Sequence, residues 1–274
     1  LIYYRTFVTM KIDDISRNWE DLYKIVSKSD VAKSFLSHCI STGKVPVHLS
    51  SSVNIPNYSV IGNKFNRAPT NTPEYIHNYI DTIYEHQYGT AFRSESLFTY
   101  VRNIGETRKG LYYVVPIGND LNMMYVNGIY DFYLQLVQKF KTVALNLVEK
   151  IPTENLSPKE KNILVKDIAM SMDDIDDEEV RQYIAVSAYS FISKETANMI
   201  ISPEFEKMCK KEILNQVDTM LQGNIVTDVD FANINKEELH ISSDRFILIS
   251  TGWVDELVTS MNTTPIELLN TLIL

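Results

Sequence analysis

The feature that most restricts the fold of this sequence is a long region of helical periodicity between two regions of strand-like alternation. From residue 129 to about residue 222, apolar residues recur every three to four positions almost throughout. Short runs with a period of two occur before this region, in 44–66 and 96–117, and after it, in 237–249. Helices and strands bury apolar faces with these two different spacings. We therefore predict an α+β fold in which the strand regions share one β core and 129–222 is an inserted helical block.

Local signals place several helix ends. Ser29 and Gly43 are suited to begin and end one helix, and Thr72 followed by Pro73 is typical of the start of another. The acidic run at 173–179 falls where a further helix would begin, and carboxylates are favourable at that end of a helix dipole. We prefer this interpretation to a calcium site, because the run lacks the alternating ligands and central glycine of a calcium loop.

The C-terminal part of the chain returns to strand-like alternation. Residues 238–241 and 245–249 are interpreted as a hairpin joined by a turn at 242–244. The strongly apolar segment 268–274 is expected to be buried, either in the core or in an interface.

Length and pattern divide the chain into four parts. With 274 residues, of which 45% are hydrophobic, it can bury a full core. We interpret residues 1–9 as a strand or an upstream extension, since a cleaner start occurs at Met10. The four predicted parts are an N-terminal helical segment (1–43), the first part of the β core (44–128), the helical block (129–222), and the second part of the β core with C-terminal helices (223–274).

Charge and composition disfavour several classes of function. With 26 basic and 35 acidic residues the net charge is −9, which disfavours broad nucleic-acid binding. No apolar run reaches the roughly 18 residues of a membrane helix, so we expect no membrane partner and a cytoplasmic location.

Cys39 and Cys209 are too few for a disulfide framework and are expected to be buried free thiols. The spacing of the five histidines supports no metal site.

Three polar residues stand at the ends of strand-like runs. Arg67 ends the first, Thr99 ends Leu97-Phe98-Thr99, and Glu238 begins a late strand. In that late strand Glu238 and His240 alternate with two apolar residues, so both should project from the face opposite the packed one. Glu238 could line a cleft there, or it could be a solvated carboxylate.

This order of residues resembles the Arg–Ser/Thr–Glu class of the ADP-ribosyltransferase superfamily. The chain is also similar to a group of tailed-bacteriophage proteins, over roughly residues 58–131 and 233–250. The residues that carry this second likeness are Arg67-Ala68-Pro69-Thr70-Asn71-Thr72-Pro73, His77, Phe92-Arg93 and Leu97-Phe98-Thr99.

The resemblance implies an ADP-ribosyltransferase-like β core that cleaves NAD and transfers ADP-ribose to a host macromolecule, without a metal. Glu238 and Thr99 would be the catalytic residues. Arg67 would bind NAD, and Arg93 is an alternative for that role because Phe92-Arg93-Ser94 fits an aromatic-Arg-small motif. His77 is a further candidate for NAD binding, although its position on a helix also fits simple packing.

Two functions of other classes are compatible with the same sequence. The chain could be a non-catalytic phage accessory or inhibitor protein that binds a host or phage protein through the helical block 129–222. It could also be a virion-associated protein, with the apolar C-terminus mediating an oligomer or a larger assembly. The expected location is therefore the host cytoplasm or the virion.

Overall fold

A computed structural model describes residues 12–50, 55, 57–62 and 72–274 of the chain. Arg67 and the segment 1–9, both discussed above, lie outside the described residues. The fold is mixed, with α-helices and one large β-sheet. The helices are α1 (Ile12–Val26), α2 (Asp30–Thr42), α3 (Glu74–Tyr88), α4 (Phe92–Glu95), α5 (Phe132–Val137), α6 (Phe140–Val148), α7 (Pro158–Met170), α8 (Glu178–Ser187), α9 (Lys194–Ile201), α10 (Pro203–Leu221), α11 (Thr251–Met261) and α12 (Pro265–Asn270). The strands are β1 (Lys44–Leu49), β2 (Tyr58–Gly62), β3 (Leu97–Asn103), β4 (Leu111–Pro116), β5 (Asn122–Val126), β6 (Ile225–Val226), β7 (Glu238–Ser242) and β8 (Arg245–Ser250).

The helix ends follow the capping signals of the sequence. The Ser29 hydroxyl accepts a hydrogen bond from the backbone of Ala32, and α2 ends at Gly43 with a left-handed φ of 66°. The acidic run leads into α8, which Asp177 caps with Glu178 in the first turn. The assignment to a helix N-terminus is therefore confirmed for Asp177, Glu178 and Glu179, whereas Asp173 and Asp174 lie in a short 3-10 helix before α8.

The predicted strand regions share one sheet, as expected. The strand order is β2-β8-β4-β1-β3-β7-β5-β6, and the pairs β2–β8, β8–β4, β4–β1, β1–β3, β3–β7 and β7–β5 are antiparallel. The block 129–222 is helical, also as predicted. Strand β5 was not predicted, since its sequence Asn-Met-Met-Tyr-Val offers only a weak alternation.

The predicted hairpin between residues 238–241 and 245–249 is wrong. Strand β7 pairs with β3 and β5, whereas β8 pairs with β2 and β4. Only Ser243 and Asp244 separate the two strands, and neither has the positive φ that a two-residue hairpin turn requires. Alternation identified both strands correctly but carried no information about their partners.

The short link between β7 and β8 means that the sheet is strongly bent. Four strand spacings separate β7 from β8, which would be roughly 19 Å in a flat sheet. The chain from Ser242 to Arg245 can span only about 11 Å. Strands β4 and β8 are buried along almost their whole length, which requires that both of their faces be covered.

The described residues group into two compact units. The first contains the described residues within 1–67, 84–127 and 226–274, and it holds strands β1 to β5 together with β7 and β8. The second contains those within 68–83 and 128–225, and it is almost entirely helical. Helix α3 is divided between the two units.

The C-terminal segment is buried in the core of the first unit. Burial in the core was one of the two outcomes expected from the sequence, the other being burial in an interface. Leu268, Leu269 and Leu272 are almost completely inaccessible, whereas Leu274 is 86% exposed. Helix α12 packs against α2, and the indole of Trp19 donates a hydrogen bond to the Thr271 hydroxyl at 3.0 Å. These leucines therefore stabilise the chain's own core.

Both cysteines are buried free thiols, as predicted. Burial raises the pKa of the Cys209 thiol to about 12, and it also raises the pKa of Cys39 above its ordinary value. None of the helices in the described part of the chain is both long and apolar enough to span a membrane.

Candidate functional site

The candidate site lies on one face of the paired strands β3 and β7. In their register, Phe98 is opposite His240 and Tyr100 is opposite Glu238. Residues that face each other in an antiparallel pair project to the same side of the sheet. These four side chains therefore share one face, and the predicted placement of Glu238 and His240 on the same side is confirmed.

A chain of polar contacts crosses this face through His240. The Ser96 Oγ lies 3.2 Å from Nδ1 of His240, and Nε2 of the same ring lies 3.2 Å from Oε1 of Glu238. Ser96 and His240 are buried, while the Glu238 side chain keeps 14% of its surface exposed. The carboxylate is thus the member of this group with the greatest access to solvent.

The hydrogen bonds of Ser96 bear on which nitrogen of His240 carries a hydrogen. The Ser96 hydroxyl donates its single hydrogen to the backbone carbonyl of Phe92. Toward Nδ1 of His240 it then acts as an acceptor, and we infer that Nδ1 carries a hydrogen. Nε2 of the same ring faces the Glu238 carboxylate.

The hydrogen bonds of Ser96 also argue against a serine nucleophile at this position. In a Ser–His–acid triad the serine must give its proton to the histidine. Here the proton of Ser96 is directed to a carbonyl oxygen, and the residue is only 4% exposed. Ser96 is better described as a residue that positions the His240 ring.

Arg93 contributes a positive charge to this group. It lies on α4, which packs against β7, and it is only 6% exposed. Its guanidinium carbon is 5.6 Å from the centroid of the Phe98 ring, and that ring meets the His240 imidazole edge-to-face at 4.4 Å. Arg93 therefore lies against the ring of Phe98, which in turn contacts His240.

Thr99 occupies the other face of the sheet. It is opposite Leu239 in the register, it is fully buried, and its hydroxyl donates to the Leu239 carbonyl at 2.9 Å. Strand alternation thus separates Thr99 from Glu238, although both belong to neighbouring strands. In this position Thr99 braces β3 against β7.

The remaining candidate, His77, belongs to the second unit. It is 3% exposed, and its Nε2 lies 3.3 Å from the Asp81 carboxylate one helical turn away. Among the described residues, no group of three or more His, Cys, Asp or Glu side chains is arranged to hold a metal ion.

Sequence reasoning assigned no role to Ser96 or His240. For His240 a signal was present, since it follows Glu238 by two positions in a strand and must share its face. For Ser96 no local signal exists, because it lies 144 residues from His240 in sequence.

Replacing Ser96 by alanine tests the arrangement without reference to any activity. The buried Nδ1–H of His240 would lose its acceptor, and an unsatisfied buried donor destabilises a fold by about 1–3 kcal/mol. We expect a loss of that size in chemical denaturation, together with a changed 15N signal of the His240 ring. Ser242→Ala, two residues further along the same strand face, is the matched control and should change neither. A wild-type spectrum with Nδ1 unprotonated would contradict the assignment.

Comparisons with protein families, with curated proteins and with solved structures gave no match for this chain. The functional argument therefore rests on the chemistry of the site itself.

Proposed function

We propose that this protein is a phage-type ADP-ribosyltransferase-like enzyme that cleaves NAD and transfers ADP-ribose to a host macromolecule, with Glu238 as its catalytic carboxylate. The observation that carries the proposal is the grouping of Glu238, His240 and Arg93 at one sheet face. A partly exposed carboxylate next to a buried histidine is a suitable arrangement for chemistry that develops positive charge.

The reaction explains why a carboxylate is needed. When the bond between the ribose C1′ and the nicotinamide nitrogen breaks, the electron pair leaves with nicotinamide and positive charge develops on the ribose. A fixed carboxylate stabilises that charge, most strongly where water is scarce. The acceptor then bonds to C1′ and releases a proton, which the Glu238–His240 pair can take up.

Arg93 supports the proposal through its permanent charge. A guanidinium is the side chain best suited to a diphosphate, because its planar donors match two phosphate oxygens. In a largely buried position its charge also acts with little screening. Arg67 stays a prediction for the same role, and Thr99 acts in this proposal by holding the two strands together.

The direct test is release of nicotinamide from NAD by the purified protein, measured with and without a host lysate as acceptor. We expect nicotinamide release to increase when lysate is added. With NAD that is radiolabelled in its adenylate group, we expect the label to be transferred to a component of the lysate. A folded protein that releases no nicotinamide under either condition would refute the enzymatic proposal.

A second candidate function has one observation in its favour. Helix α8 and the residues after it carry three large apolar side chains that are mostly exposed, namely Tyr183 (68%), Val186 (71%) and Tyr189 (75%). Exposed apolar groups of this kind are typical of protein-binding surfaces. A non-catalytic protein that binds a partner through its helical block would fold normally and release no nicotinamide in the assay above.

A further inference from the structure

A cavity of about 550 Å³ lies in the first unit on the same sheet face as Glu238. Its apolar lining comes from Val47 and Leu49 on β1, Tyr100 and Val101 on β3 and Leu111 on β4. The register places all of these except Val101 on one side of the sheet, since Val47 is opposite Tyr100 and Leu49 is opposite Leu111. Tyr100, which lines the cavity, is opposite Glu238 in the register of β3 and β7, so the cavity lies beside the candidate site.

The remaining wall of the cavity is positively charged. Arg102, Arg108 and Lys236 line it together with a single carboxylate, Glu106. In the described part of the chain none of these three cations forms an ion pair. The Glu106 carboxylate accepts hydrogen bonds from the side chain and backbone of Asn103 at 3.0 and 3.3 Å. A cationic cavity on a chain with a net charge of −9 is a local exception to its overall charge.

The loop that carries Arg108 is held in place by buried groups. The fully buried Thr251 hydroxyl accepts a hydrogen bond from the Arg108 backbone at 3.4 Å and lies 3.1 Å from the Leu111 carbonyl oxygen. The Gly105 backbone donates to the Tyr113 hydroxyl at 2.9 Å. Gly110 adopts a φ of 76°, and a Cβ there would come within 2.5 Å of the Ser50 carbonyl oxygen. The backbone of the loop that carries Arg108 is therefore held in place, while the Arg108 side chain itself is exposed.

The backbone at Lys236 is fixed in a similar way. The backbone groups of Asn235 and Lys236 both donate to one carboxylate oxygen of Glu237 at 2.9 Å, and Glu237 is only 7% exposed. This carboxylate holds the turn that presents the Lys236 ammonium to the cavity. Two of the three cations thus extend from anchored backbone, while Arg102 extends from β3 itself.

We propose that this cavity binds a phosphorylated small molecule with an apolar or aromatic ring, the chemical class to which nucleotides belong. Two guanidinium groups and an ammonium match the charge and the oxygen geometry of phosphate. The apolar floor, which includes the 48% exposed Leu49, suits a flat ring. The volume lies within the range of about 300–1,000 Å³ that small-molecule sites occupy.

This proposal goes beyond the enzymatic one, because it requires binding and no bond cleavage. Glu238 does not line the cavity. A site for a phosphorylated ligand could be present in an enzyme or in a protein without catalytic activity. The two proposals can therefore fail independently.

The experiment is calorimetric titration of the full chain with ADP, with adenosine as the ligand that lacks phosphate. We expect ADP to bind and adenosine to bind at least tenfold more weakly. The variant R102A/R108A/K236A should weaken ADP binding by at least tenfold. The matched control K28A/K159A/K194A removes three exposed lysines that do not line the cavity, and it should leave the affinity within about twofold.

Several results would overturn the proposal. They are failure of ADP to bind the folded wild type, equal binding of ADP and adenosine, or equal affinity of wild type and the cavity variant. If the triple variant does not fold, K236A alone must still weaken ADP binding several-fold for the proposal to stand. The variant E238Q separates the two proposals, because we expect it to bind ADP like wild type while losing nicotinamide release.

Discussion

Replacement of Glu238 by glutamine is expected to reduce the rate of nicotinamide release by about a hundredfold or more, which corresponds to ~3 kcal/mol of lost transition-state stabilisation. Glutamine has the same shape but no charge, so it cannot stabilise the positive charge on the ribose. It also removes a group that can take up a proton beside His240, because an amide neither gains nor loses a proton near neutral pH.

The control for this variant is Glu256→Gln on α11, which neutralises an exposed carboxylate in the same unit. That change should alter the free energy of unfolding by less than about 0.5 kcal/mol and leave the rate unchanged. Both variants should be compared by steady-state rates and by circular dichroism. If E238Q is folded and retains the wild-type rate, Glu238 is not the catalytic carboxylate.

A second large effect is expected from the double variant Leu269→Ala/Leu272→Ala. Both side chains are fully buried in the core of the first unit, on and directly after α12. Each truncation of a buried leucine lowers the free energy of unfolding by about 2–5 kcal/mol, because it removes apolar contacts and leaves a cavity. The sum is comparable to the whole stability of many domains, roughly 5–15 kcal/mol. We expect the first unit to be unfolded or barely stable at 25 °C.

Tryptophan fluorescence measures this effect selectively. The chain has two tryptophans, Trp19 and Trp253, and their rings lie 5.4 Å apart in the first unit. Denaturation followed by fluorescence therefore reports on that unit alone, whereas circular dichroism also detects the helical unit. The control Leu274→Ala changes a side chain that is 86% exposed and should leave the transition in place. An unchanged fluorescence midpoint in the double variant would contradict the placement of α12 in this core.

Local sequence determined much of the secondary structure. The caps at Ser29 and Gly43, the proline at the start of α12 and the alternation in β7 depend on residues within a few positions of one another. Such short-range preferences are present in the sequence whatever the rest of the chain does. For the same reason, the alternation sufficed to place Glu238 and His240 on one strand face.

The tertiary structure alone decided which strands are neighbours. Strand β7 has the alternation expected of a hairpin partner for β8, yet its partners are β3 and β5. An apolar face packs equally well in several pairings, so the choice depends on contacts between residues distant in sequence. This choice also placed Thr99 and Glu238 on opposite faces, although the sequence pattern suggested that they act together.

The candidate site and the cationic cavity depend on the same long-range pairing. Ser96 contacts His240, which lies 144 residues away in sequence. The cavity is lined by residues of β1, β3 and β4 and of the turn at Lys236. No periodicity or spacing in the sequence encodes such long-range contacts, because each contact forms only after several strands have been placed side by side. The sequence thus determined the elements and the faces of the strands, while the pairing of strands in the folded sheet determined which polar groups come together.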